Sequence, residues 1–401
     1  MELYSKPHQF EPLLPSEAKV EPLLSKAHDL SRLASPLGAS RVPPELRRLL
    51  RSMNSYYTNR IEGQHTRPHE IELALTKDFS GDGELATRQR LAVAHIEAEE
   101  ALEQRYGAHE RAGDLYSAAA VQDMHRELFG RLPAGDLVTP QGEPVVPGEF
   151  RGRDVSVGQH VAPAFGSVPL FLQRWSQFYG QVRRGEAALV ALAAAHQRLG
   201  WIHPFIDGNG RVMRLHTHTL LGALGYTGGL WSPLRGFARN THQYYALLAA
   251  ADNARRGELD GRGNLSEQAL IAWIDYVLDV CLDQASFMAT LLDFESMKSR
   301  IEAALVFEAT VEKSGVRQES LRGLHYLFLS GEEMTRGEFK SMLGLGERSA
   351  TDALGALVRR GLLKSDSPQG RVRFGLPQHA LRFLFPRLWP EAEADAAERR
   401  S

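Results

Sequence analysis

His203-Pro-Phe-Ile-Asp207-Gly208-Asn209-Gly210-Arg211-Val-Met-Arg214 places an imidazole, a carboxylate, two closely spaced glycines and two arginines in one short stretch. That mixture suits phosphate chemistry. Glycines let a backbone turn tightly and approach a ligand, and a helix starting here would point unpaired N–H groups and its positive dipole end at an anion. Arg211 and Arg214, three apart on such a helix, share a face and offer planar, permanently charged forks for phosphate oxygens. Asp207 can hold a Mg²⁺, and His203, titrating nearest neutral pH, is the natural general base for a hydroxyl that attacks phosphorus.

Nearly all-round apolar stretches flank this loop, residues 186–199 closing at Gly200, and residues 212–224. Helices apolar on every side are buried, so the loop is expected to sit on the rigid centre of its domain, where positioning is easiest to hold. These stretches carry His196, His216 and His218. His216 and His218 fall on different helix faces with no Cys, Asp or Glu at ligand spacing beside them, so core or helix-lining roles are expected rather than a metal site.

The loop residues resemble the active-site signature of the Fic family, His-x-Phe-x-(Asp/Glu)-Gly-Asn-Gly-Arg-x-x-Arg, and match it at every fixed position. The resemblance implies a mainly α fold: a Fic-type helical bundle with a small β-hairpin flap. It also implies transfer of AMP from ATP to a Ser, Thr or Tyr hydroxyl of a target protein, with Mg²⁺. In that scheme His203 deprotonates the hydroxyl and Asp207 binds the Mg²⁺ that bridges the α- and β-phosphates. Gly208, Asn209 and Gly210 hold phosphates, Arg211 lies near the α/β end and Arg214 at the γ-phosphate. A related kinase branch carries Lys at the position of Gly210, and the glycine here argues against it.

Upstream, Thr58-Asn-Arg-Ile-Glu62-Gly63 puts Thr58 and Glu62 four apart on one helix face, with Gly63 placed to end the helix. The pattern resembles the inhibitory motif (Ser/Thr)-x-x-x-Glu-(Gly/Asn) of one class of Fic proteins. There the glutamate pairs with the second signature arginine, here Arg214, and occupies the place of the γ-phosphate. The run Val155-Ser156-Val157-Gly158-Gln159-His160-Val161 is expected to form a hairpin. In Fic proteins a hairpin here is the flap that aligns the target backbone by adding a strand. Asn240 is expected to cap a helix bearing Tyr244 and Tyr245, and family resemblance puts Tyr245 near the adenine.

With 401 residues the chain exceeds one ordinary domain. Expected boundaries are an N-terminal arm at 1–45, the Fic domain at 46–312 with its inhibitory helix near 54–63, a further domain at 316–377 and a charged, frayed tail at 378–401. The arm is rich in proline and leucine pairs, with a short helix expected near residues 23–33. A net charge of -2 argues against a protein built around bulk nucleic-acid affinity. The single cysteine, Cys281, lies in an apolar run and reads as core filling. No charged start leads into an apolar segment and no window could span a bilayer, so a soluble cytoplasmic protein is expected, without a membrane partner. A homodimer stays open.

Two alternative nucleotide motifs fail. Gly81-x-Gly83-x-x-Ala86 follows no predicted strand, and no Gly-x-x-x-x-Gly-Lys-(Ser/Thr) occurs. Toward the C-terminus, helices at 319–329, 335–343 and 347–360 precede a hairpin of Leu362-Leu363 against Val372-Arg373-Phe374. Three helices and a ribbon resemble a winged-helix domain. Arg348, Arg359, Arg360, Arg371 and Arg373 would give it a face for DNA, and winged helices equally serve as protein-binding modules. Two readings remain beside AMP transfer: a DNA-binding regulator with a Fic-type sensing domain, and removal of AMP by the same site.

Overall fold

The computed structural model describes residues 4–40, 42–64, 66–158, 160–181, 185–386 and 388. Two compact units emerge, one of residues 1–38 and 54–286, the other of 39–53 and 287–401. The first unit holds α1 (Glu17–Gly38), the C-terminal part of α2 (Pro44–Ile61), α3 (Pro68–Leu75), α4 (Gly83–Tyr106) and α5 (Ala118–Phe129). A hairpin of β1 (Ser156–Val157) and β2 (His160–Val161) follows. Then come α6 (Val168–Tyr179), α7 (Gly185–Ile202), α8 (Asn209–Ala223), α9 (Leu234–Arg239), α10 (Thr241–Ala250) and most of α11 (Glu267–Leu291).

Its centre is the α7–loop–α8 pair. Every residue of α7 from Ala188 to Leu199 is buried, because α1, α6 and α8 pack around it, and α8 packs in turn on α4 and α5. Small side chains permit this crowding. The indoles of Trp175 and Trp273 donate to the carbonyls of Ala195 (3.1 Å) and Ala193 (2.7 Å). A Cβ on Gly200 would lie 2.8 Å from Met213 Sδ, so the two helices meet closely there. Gly200 therefore serves packing, and α7 continues to Ile202 instead of closing at Gly200. His196 is fixed between Thr217 Oγ1 (2.6 Å) and the Tyr244 hydroxyl (3.2 Å), and His216 Nε2 meets the Leu115 carbonyl at 3.0 Å. Both are core histidines. Cys281 is buried too.

The expected arm is part of this core. Phe10 is buried edge-on to Phe171 (5.2 Å, 84°), and the Leu13 carbonyl accepts from Tyr179 (2.6 Å). The short helix expected near 23–33 is the 22-residue α1, which buries Leu23, Ala27, Leu30, Ala34 and Leu37 along one stripe. The arm is thus a packing element, with α1 lying against α7. The Gly81-x-Gly83 segment is a helix start, with Asp82 Oδ1 accepting from Glu84 N (2.9 Å) and Leu85 N (3.2 Å).

The second unit holds the N-terminal part of α2, the end of α11, α12 (Phe294–Thr310), α13 (Leu321–Ser330), α14 (Arg336–Met342), α15 (Glu347–Arg359), β3 (Leu363–Lys364), β4 (Arg373–Phe374) and α16 (Gln378–Leu384). β3 and β4 pair antiparallel, Leu363 with Phe374, and Met334 bridges Val372. This is the expected order of helices and ribbon. The expected phosphate-facing arginines are largely engaged elsewhere. Arg360 forks onto Glu308 (2.6 and 2.7 Å), Arg373 binds Glu45 (2.6 Å) and Asp366 (2.8 Å), and Arg371 donates to the Glu333 carbonyl (2.8 Å). Carboxylates hold Arg360 and Arg373, and a backbone carbonyl holds Arg371. Arg348 and Arg359 are exposed. The expected frayed tail begins as α16, packed on α12 because Ala380 and Leu384 are buried; residues 389–401 lie outside the described residues. Among the described residues no helix is long and apolar enough to cross a membrane.

Candidate active site

Between α7 and α8 the chain reverses through His203 (φ 49°) and Gly208 (φ 78°). At Gly208 the left-handed φ and the Phe129 ring both exclude a side chain, since a Cβ would lie 2.2 Å from Phe129 Cε2. Asn209 fastens the loop upon itself. Its Oδ1 accepts from Phe205 N and its Nδ2 donates to Phe205 O, each at 2.9 Å. The Asn209 side chain, assigned from the resemblance to the phosphates, is thus already engaged by the loop backbone.

α8 starts at Asn209 with glycine at the N-cap and no side-chain cap. Its first amides therefore lack the partners that interior helical amides have. An anion is already present there. Glu62 Oε1 lies 2.5 Å from where a Gly210 Cβ would stand, so its carboxylate covers the helix start. The same oxygen accepts from Arg214 Nη2 at 2.5 Å. Arg214 is fully buried and is held further by Thr58, through Oγ1 (2.8 Å) and the carbonyl (3.3 Å), while its Nη1 has no hydrogen-bond partner among the described residues. Burial opposes the Glu62 charge, but Arg214 and then Arg211 prevail and hold its carboxyl below the usual range. Arg211 donates to Asn59 (3.1 Å) and Gln64.

The helix that delivers Glu62 ends as expected. Gly63 takes φ 72°, Gly63 N donates to Arg60 O (3.0 Å) and Gln64 N to Asn59 O (2.8 Å), the paired bonds of a Schellman end. Thr58 and Glu62 thus face Arg214 together. Tyr245 is partly exposed, and its hydroxyl donates to the Ile61 carbonyl (3.2 Å) on the same helix end.

His203 is half-buried beside the loop. Burial, and then the charges of His160 and Arg151, push its pKa down to about 4, so it is neutral near pH 7. The Gly200 carbonyl favours a proton on the ring, and a neutral imidazole keeps one bare nitrogen that can accept a proton. Asp207 lies at the loop's far end; Gly208 N donates to its Oδ1 at 2.6 Å. Among the described residues no hydrogen bond reaches the second carboxylate oxygen.

Two residues without an assigned role prove to shape the loop. Arg151 donates to the carbonyls of His203 (Nε, 2.8 Å), Arg153 (2.9 Å) and Pro163 (2.6 Å), and its own N–H reaches Pro204 O (2.9 Å). His125 stacks between Phe129 (4.5 Å) and Phe205 (4.0 Å), accepts from Gly148 N at Nδ1 (2.8 Å) and faces the Asp207 carbonyl at Nε2 (3.3 Å). Those partners require the neutral Nε2–H tautomer, in keeping with a pKa that burial lowers to about 4. Neither residue belongs to a linear motif, and both have charged neighbours, Glu149 and Arg153 around Arg151 and Asp123 and Arg126 around His125, so nothing local marks them.

The expected hairpin forms beside His203. Ser156 pairs with Val161 and Val157 with His160, Val155 accepts from Ala162 N (3.3 Å), and Gly158 turns with φ 59°; Gln159 lies outside the described residues. His160 anchors it, with Nδ1 3.0 Å from Asp252 Oδ2, Nε2 2.9 Å from the Trp201 carbonyl and its ring 6.3 Å from that of His203. Val157 is about half exposed.

A helical domain built around a helix start that takes an anion, with a neutral histidine at its edge, is the class that fold and site define. Residues 115–221 match the Fic/DOC family. Protein adenylyltransferase Fic of Drosophila grimshawi is 35% identical over 133 residues, and that of Drosophila yakuba 38% over 133, each match covering 33% of this chain and 24% of the relative. The chain therefore matches about a quarter of the length of these relatives. In fold it is similar to a Fic family protein from Desulfovibrio desulfuricans G20 (TM-score 0.50, 18% identity, 94% of this chain and 100% of that one). It is likewise similar to Fic-1 of C. elegans (TM-score 0.52, 18% identity, 68% of this chain and 75% of that one).

Proposed function

We propose that this protein transfers AMP from ATP to a Ser, Thr or Tyr hydroxyl of another protein, and that Glu62 restrains it. One observation carries the reading: the Glu62 carboxylate sits against Gly210 and Arg214, on the α8 N-terminus, where a phosphate would be bound. The relatives' name, protein adenylyltransferase, supports the same chemistry.

The donors fit a nucleotide triphosphate. Arg214 keeps a buried N–H without a partner, and the glycine at 210 leaves room that a Cβ would fill. Asp207 offers one unengaged carboxylate oxygen, and Mg²⁺ commonly binds through one or two carboxylates plus substrate phosphates. Mg²⁺ held there would offset charge on the α- and β-phosphates. His203, neutral and with one nitrogen bare, takes the proton as the target oxygen bonds to the α-phosphorus. The bond from that phosphorus to the β-phosphate's bridging oxygen breaks, and pyrophosphate leaves. The α8 amides and Arg211 stabilise the moving charge, and Arg214, freed of Glu62, holds the terminal phosphate. Arg151 fixes the His203 backbone, so positioning supplies much of the rate. The hairpin of Val155 to Val161 would align the target chain by strand addition, and Tyr245 would border the base. The ribbon-bearing second unit is proposed as a winged helix that docks a partner protein, since three of its five candidate arginines are bound internally.

Incorporation of label from α-labelled ATP into a bacterial lysate, compared between wild type and Glu62→Gly, tests this. We expect at least tenfold more labelled protein from the variant, and none from the double variant carrying His203→Ala as well. Equal labelling by wild type and Glu62→Gly would remove the brake; labelling that survives His203→Ala would remove the mechanism.

A further inference from the structure

Away from the loop, α4 and α8 bring together a second set of ligating atoms. Glu99 and Glu103 lie one turn apart on α4, and His218 lies one turn beyond Arg214 on α8. His218 Nε2 is 3.3 Å from Glu99 Oε1 and 3.3 Å from Glu103 Oε1, and one ligand atom from each of the three falls within 4.8 Å of the others. Glu99 and His218 are buried, and Glu103 keeps 24% of its side chain exposed, which gives an entry from solvent.

Among the described residues, several polar atoms around this group have no hydrogen-bond partner. His95, one turn before Glu99, is 0% exposed and neither ring nitrogen has a hydrogen-bond partner; its Nδ1 points at Glu99 Oε2 from 3.8 Å. Glu99 Oε2 and His218 Nδ1 are also unpartnered. Asn54 Nδ2 donates to Glu99 Oε1 (2.9 Å), while its own Oδ1 is buried and unsatisfied. Buried polar groups are nearly always satisfied, so such a concentration calls for a missing partner. Two carboxylates facing one imidazole call for a positive charge between them, a proton on the ring or a bound cation.

We infer that Glu99, Glu103 and His218 bind a transition-metal dication, Zn²⁺ by preference, in a site separate from the catalytic loop. The distances suit it. Zn²⁺ bonds to nitrogen and oxygen of about 2.0–2.2 Å in a tetrahedron set ligand-to-ligand edges near 3.3–3.6 Å, which both His218-to-glutamate separations satisfy. Asn54 supports Glu99 as an outer partner, and water on the open side of Glu103 completes the set. The ion would pin α4 to α8 one turn from Arg214. Through Asn54, one turn before Thr58 on α2, it would also support the helix that carries Glu62. The expected core position of His218 holds; what its own helix could not show is that its partners come from a helix 115 residues away.

The test uses the full chain, stripped with a chelator and titrated calorimetrically with ZnCl₂, with metal content read by mass spectrometry. Wild type and Asp207→Asn should each take one equivalent, and saturating Zn²⁺ should raise the melting temperature by about 5 °C. Glu103→Gln, at a partly exposed position that tolerates the change, should fold and lose that equivalent, as should His218→Asn. A folded wild type that binds no Zn²⁺, a Glu103→Gln variant that still binds one, or Mg²⁺ bound as tightly as Zn²⁺ overturns the inference; the first outcome leaves an ion triad with His218 protonated.

Discussion

Gly208 and Gly83 show how differently one residue type can matter. Gly208 has a left-handed φ and the Phe129 ring against it, whereas Gly83 starts α4 with open space around its Cβ position. Gly208→Ala combines backbone strain with overpacking and should cost about 2–4 kcal/mol. Gly83→Ala should be neutral or stabilise by roughly 0.5 kcal/mol, through the unfolded chain. Urea unfolding of the two variants distinguishes them. Thr58 acts on Arg214 rather than on a substrate: its hydroxyl accepts from Nε at 2.8 Å. Thr58→Ala strips a buried charged donor of a partner and should cost about 1–3 kcal/mol. It should also raise AMP labelling, but by less than Glu62→Gly, because the carboxylate remains. No gain in labelling would show that Thr58 serves stability alone.

At the level of elements, what matters is how helices end. α2 stops in a Schellman turn that projects Glu62 over the start of α8, and that start has no side-chain cap. The uncapped N-terminus leaves the position free for an anion, internal or bound. α14 shows the opposite arrangement. Thr335 and Glu338 cap it reciprocally, with Glu338 N to Thr335 Oγ1 at 3.2 Å and Thr335 N to Glu338 Oε2 at 2.7 Å. Thr335→Ala should destabilise the second unit by about 1 kcal/mol while leaving AMP labelling by the Glu62→Gly background unchanged. Thermal melts and the labelling assay read the two effects separately. His125 couples α5 to the loop through its stacking and its contact with the Asp207 carbonyl, so it is a positioning residue.

Across the whole molecule, buried histidines make stability depend on pH. Burial pushes His125, His203 and His216 down to about 4, and His196 well below its ordinary value. The folded state keeps these groups neutral where the unfolded chain already takes up protons, near pH 6.5. Their stabilisation is therefore fully present above about pH 6.5 and is lost as the pH falls toward 4. Each group contributes a slope of up to about 1.4 kcal/mol per pH unit in that window. Urea midpoints at pH 7.5, 6 and 5 should decline progressively; a flat profile would contradict the neutral buried state.

The sequence by itself determined the loop, its two apolar helices and the helix ending at Gly63, because each depends on local periodicity, turn-forming glycines and fixed spacing. It also gave the hairpin around Gly158 and the helix-and-ribbon order of the C-terminal unit. Only the tertiary structure showed that Glu62 lies on Gly210, that Asn209 holds Phe205, and that Arg151 and His125 brace the loop. The packing of α1 against α7 and the meeting of His218 with Glu99 and Glu103 were decided there too. In each case the partners are far apart in the chain, and the contact exists only because packing of apolar faces brings them within a few ångströms; no local pattern encodes that distance.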